Sequence, residues 1–207
     1  NQRPESLYYQ QIPPQESKVI KMTTDTTPGS LDRVLLSWQS TDRNKTATPS
    51  GAVTPASDVL PDVATWNSNN YTPMLRLTIY PVPTSGAITN IQADSKTIFL
   101  YPHASGASGT VQSLSYAAIT NGAIYHVGCS SGLDAPGFTG IANMDCDLAI
   151  NGLADVTNLD YLYLRLMPIY NHVDVEIKAR DIDDRNVKFR GVQAVLDVTA
   201  KVGPASK

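Results

Sequence analysis

The chain has 207 residues, 42% hydrophobic and 17% charged, with 16 Lys and Arg against 19 Asp and Glu and a net charge of -3. That balance fits one domain, 1–207, with a core of its own and excludes a disordered tail. The cations are scattered rather than striped, which excludes a nucleic-acid backbone as partner. No run reaches the ~18 consecutive apolar residues of a membrane span. The opening NQRPESLYYQ lacks the basic start and apolar stretch of a secretion signal, so export implies a processed form.

Along the chain the hydrophobic period is two nearly everywhere. Strands are predicted over 7–12, 17–22, 32–39, 73–82 and 96–101, then 123–127, 147–150, 160–170, 172–179 and from Val192 to the polar tail. In MLRLTIY, Leu75, Leu77 and Ile79 alternate with Arg76, Thr78 and Tyr80. In YLYLRLM, Leu162, Leu164 and Leu166 alternate with Tyr161, Tyr163 and Arg165. Each strand therefore buries one side and wets the other. Val173, Val175 and Ile177 repeat the pattern against Asp174, Glu176 and Lys178. Tyr170 and Asn171 then read as a hairpin tip and DIDDRN as the next reversal, giving a closing meander of three adjacent antiparallel strands. The last of these, VQAVLDVTA, sets Val192, Ala194, Leu196, Val198 and Ala200 on one face.

Between the third and fourth strands, 40–72 is dense in Thr, Ser, Pro and Asn and reads as a long surface loop pinned by Trp66. A 3.6 period is sustained nowhere, and ADVTNLDYL holds at most one helical turn. The fold class is mainly β: an antiparallel, two-layer, sandwich-like domain with long loops and little helix.

Few residues point to chemistry. Cys129 and Cys146 bracket a turn-forming segment and are expected to form a disulfide. Asp181, Asp183 and Asp184 in DIDD, with Asp145 and Asp147 in DCD, are weak calcium candidates without the EF-hand pattern, and a solvated acidic turn is the plainer reading. His103, His126 and His172 lie far apart without ligand spacing. No GxSxG, GxGxxG or phosphate-loop motif occurs, so neither an enzyme nor a cofactor is expected. Asn44 and Asn70 begin NKT and NYT sequons within the long loop. Trp66, Tyr161 and Tyr163 are candidate surface contacts, able to stack on sugar rings or on another subunit.

LDRVLLSWQSTD, TPMLRLTIYPV, KTIFLYP, YLYLRLMPIYNHVDVEIKA and VKFRGVQAVLDVTAKV together resemble the globular region of type IV pilin-like proteins of the PilX-type minor pilin class. The likeness is to those of small bacteria that live on other bacteria, and it covers the chain from about Leu31 onward. The resemblance implies an extracellular, cell-surface filament subunit acting in adhesion, host attachment or twitching motility. Its partners are then other pilin subunits and a host surface or glycan. It meets the membrane only through an N-terminal apolar helix, here missing, on which the C-terminal apolar row would rest. Two departures stand out: the cysteines precede the last three strands, and the chain stops at KVGPASK, which reads as trimmed. The alternative is a secreted β-sandwich carbohydrate-binding, lectin-like domain.

Overall fold

The computed structural model describes residues 4–24, 30–41, 62–69, 71–83, 94–104, 109–129, 144–155, 159–190 and 194–196. The strands are β1 (Ser6–Ile12), β2 (Lys18–Thr24), β3 (Leu31–Ser40), β4 (Leu75–Pro83), β5 (Lys96–Ala104), β6 (Ser113–Ser115), β7 (Ile124–Cys129), β8 (Cys146–Asn151), β9 (Leu159–Pro168), β10 (Val173–Asp181), β11 (Phe189–Arg190) and β12 (Ala194–Leu196). Helix α1 (Val63–Ser68) precedes β4, and a short 3-10 turn, Tyr116–Ala118, follows β6. Every predicted strand overlies an observed one. The elements not predicted, β6, β11 and α1, are too short to show a period.

The strands form one sheet in the order β1-β10-β3-β8-β7-β5-β4-β9-β2-β11, with β12 also on β2 and β6 also on β8. Its ends nearly meet: the Phe189 N–H on β11 donates to the Pro4 carbonyl just before β1, at 2.9 Å. The domain is mainly β, as the periodicity predicts, but it is one nearly closed, barrel-like sheet. The purely antiparallel expectation is corrected, since β5 runs parallel to β7 and β6 parallel to β8.

The predicted closing meander is also corrected. β9 lies between β4 and β2, whereas β10 lies between β1 and β3. The chain at Tyr170 and Asn171 therefore crosses from one wall of the barrel to the other instead of turning a hairpin. Both strands have apolar inner rows, and each finds partners supplied by distant segments. β12 pairs with β2 through Ala194, Val195 and Leu196. The facing of its apolar row lies outside the described side chains.

Inside the sheet the predicted inward residues meet. Leu75, Leu77, Ile79, Leu162, Leu164, Leu166, Val173, Val175 and Ile177 are all at most 1% exposed and belong to one core cluster with Trp38, Ile98 and Phe189. The Trp38 indole N–H donates to the Pro73 carbonyl at 2.9 Å, which satisfies the core's most polar ring. The barrel is thus filled by its own side chains.

Candidate binding face

Three tyrosines gather on the outer face of β2, β9 and β4. Because side chains alternate along a strand, Tyr161 and Tyr163 point outward when Leu162 and Leu164 point in. Tyr80, opposite Tyr163 in the β4–β9 ladder, joins them, and Lys21 is opposite Tyr163 on its other side in β2. Lys21, Tyr163 and Tyr80 therefore form one row across three strands. All three are half-buried, as is Tyr161.

The rings are ordered by one another and by the cation. Tyr161 and Tyr163 meet edge to face at 5.4 Å and 90°. The Lys21 ammonium stands 4.0 Å from the Tyr161 ring centroid, within cation–π range. One position further along the same face, Arg165 is opposite Val19 and Thr78, and its Nε donates to the Ser17 hydroxyl at 2.9 Å. Exposed Arg76 follows on β4. This face carries cations and phenols with no carboxylate on the paired outward positions of β2, β4 and β9. From the sequence Tyr80 is only an outward residue of its strand, because the β4–β9 register alone brings it to Tyr163.

Trp66, expected as a surface contact, is placed elsewhere and is corrected here: it is 0% exposed. Its burial anchors α1. Asp62 caps α1 by accepting from the Thr65 N–H and hydroxyl, both at 2.8 Å. That short helix lays Trp66 into a second apolar cluster with Met74, Tyr101 and Tyr170 outside the barrel. Trp66 stacks on Tyr170 at 4.6 Å and meets Tyr71 and Tyr101 edge-on, both at 5.3 Å. A Trp in a polar loop is buried here because the sheet's outer wall offers aromatic faces to cover it. Residues 42–61 of the long loop, with Asn44, and also Asn70, lie outside the described residues. Burial, with Asp62 nearby, pushes the Tyr170 phenol up to about 12.

The parallel pairing of β5 and β7 unites two histidines that are far apart in sequence. His126 stacks on Tyr101 at 5.1 Å, and His103 lies 5.5 Å from His126. Burial, followed by the neighbouring His103, lowers the His126 pKa. No group of three or more metal-ligating side chains occurs among the described residues.

The acidic turn is occupied by the protein's own donors. Asp181 Oδ1 accepts from the Asp183 and Arg185 amides at 3.0 and 2.8 Å. Asp184 pairs with Arg33 at 2.7 Å and Arg180 at 2.8 Å, and Asp183 pairs with Arg185 at 3.2 Å. These carboxylates fold the turn.

A second set of acids lines the outer face of β10, β3 and β8. Asp147, Ser37 and Glu176 are ladder neighbours, and each is less than 9% exposed. Asp174 and Glu176, expected to be wet, are thus buried, a correction to the alternation reading. Asp174 is satisfied from two other segments, β1 and the end of β3: it accepts from the Gln11 amide at 2.9 Å, the Thr41 hydroxyl at 3.1 Å and the Gln39 amide group at 3.4 Å. Asp145 is pushed up to about 6 by burial, opposed by hydrogen bonds from the Thr72 hydroxyl and the Ser40 amide. Asp147 is also raised by burial, opposed by Ser37.

Cys129 and Cys146 form a disulfide across β7 and β8, with their Cα atoms 4.2 Å apart. No protein-family model, no curated protein and no solved structure matches the chain.

Proposed function

We propose that this chain is a non-catalytic, outward-facing structural and binding head, of the kind carried by a type IV pilus-like surface filament subunit. The observation that carries the reading is the disulfide joining β7 to β8, a bond that persists in oxidising surroundings outside the cytosol. A core filled by the chain's own side chains agrees with a rigid exposed module. The strand patterns that resemble pilin heads supply the filament. A two-layer description belongs to this reading, taking β1-β10-β3-β8 and β4-β9-β2 of the one sheet as its two layers.

Immunogold electron microscopy of intact producing cells, with antibody raised against the purified chain, tests it. Label along filaments is the expected result. Label confined to the medium or a filament-free surface favours a secreted lectin-like domain, the second reading, for which the outward tyrosines speak. Label seen only after the cells are permeabilised excludes both.

A further inference from the structure

We propose that the outer face of β2, β9 and β4 binds an acidic saccharide, a sugar chain bearing carboxylate or sulfate groups. The inference gives the proposed head its ligand class and rests on that reading only in requiring that the face meet the outside of the cell. Tyr80 and Tyr163, ladder neighbours on adjacent strands, present amphipathic rings that accept the C–H face of a sugar and hydrogen-bond its hydroxyls. Adjacent strands lie about 4.8 Å apart, so the row of Lys21, Tyr163 and Tyr80 is a track running across the strands.

Charge selects the acidic class. The Lys21 ammonium is held over the Tyr161 ring and has no carboxylate partner among the described residues. Arg165 lies one position along the same face, beside Thr78. A neutral glycan would leave the Lys21 charge without a counter-charge, whereas a carboxylate or sulfate supplies it. The protein carries -3 overall, and Asp147, Asp174 and Glu176 stand on β8 and β10, away from this face. A polyanion therefore meets local cations, Lys21 and Arg165, with no carboxylate beside them on the paired outward positions of this face.

Isothermal titration of the purified chain with polygalacturonate, dextran sulfate, neutral dextran and sodium sulfate tests the proposal and separates carboxylate from sulfate recognition. Saturable binding of at least one acidic polymer is expected, weakening as salt rises, with no binding of dextran. Tyr163→Ala and Lys21→Gln should each weaken binding about tenfold, the scale of one contact of roughly 1.4 kcal/mol. Lys188→Gln, an exposed cation near the β1–β11 seam, should leave binding unchanged. Should Tyr163→Ala not fold, as judged by circular dichroism, Lys21→Gln and the ring-preserving Tyr163→Phe carry the test, the latter losing only the hydroxyl contribution. The proposal is overturned if neither acidic polymer binds, if dextran binds equally, if Lys188→Gln weakens binding as much as Lys21→Gln, or if free sulfate displaces the polymer completely at equal charge. The titration uses isolated chains, so a failure of filament assembly leaves its outcome untouched.

Discussion

Cys129 and Cys146 face each other as ladder partners of the antiparallel strands β7 and β8, and their disulfide is the covalent join at that point of the sheet. The same residue pair sets the register and clamps it.

Breaking that clamp should destabilise the fold. In the chain-entropy account a closed loop of this size is worth about 3 kcal/mol, and at about 200 residues that corresponds to a fall of roughly 10 °C in Tm. Calorimetry of Cys129→Ser/Cys146→Ser against the parent measures it. Mass analysis after alkylation of the native protein should find no free thiol; two alkylated cysteines would rule the bridge out.

Trp66 should behave as a core residue. Trp66→Ala removes a fully buried ring from the cluster with Tyr101 and Tyr170 and should cost about 3 kcal/mol in denaturant unfolding. Polysaccharide binding by the folded fraction should not change. Loss of binding at full stability would return Trp66 to the surface.

Asp145 gives stability a pH dependence of definite sign. Its folded pKa of about 6 lies above the 3.8 of an ordinary aspartate, so the folded state holds the proton more tightly. The cost of burying the ionised carboxyl is full above pH 6, declines as pH falls through 6 and is gone below the unfolded pKa. Asp145→Asn, which keeps an oxygen to accept from Thr72, should therefore be more stable than the parent at pH 8. The gain is at most about 3 kcal/mol and should vanish toward pH 4. Equal differences at pH 8 and pH 4 in urea titrations would contradict the assignment.

The acidic turn should behave as a structural reversal. Asp184 is 55% exposed and has φ of 62°, a backbone that Asn also tolerates. Asp184→Asn should cost less than about 1 kcal/mol, because water screens the pairs with Arg33 and Arg180. Millimolar calcium should leave the Tm of the parent unchanged. A calcium-dependent rise that disappears in Asp184→Asn would make the turn an ion site.

Much of this molecule is written in local pattern. Strict alternation in 73–82, 160–170 and 172–179 forces extended chain with one apolar row, because side chains of a strand alternate between faces whatever its neighbours are. The strands, their inward rows and the cysteine pair were therefore legible in the sequence. Pairing was not, since alternation says which side is buried but never against whom. β9 and β10 follow one another in the chain yet belong to opposite walls, and their partners β4, β2, β1 and β3 all come from segments far away in the chain. Burial beyond the alternating row was equally hidden. Trp66 is covered and Asp174 desolvated only because Tyr170, Gln11 and Thr41 arrive from elsewhere. Tyr80 and Lys21 likewise join Tyr161 and Tyr163 only through the register of three strands. The sequence by itself determined which residues form strands and which side of each is apolar; the tertiary structure alone decided which outer faces stay open, because a face is covered or left bare by contacts distant in the chain.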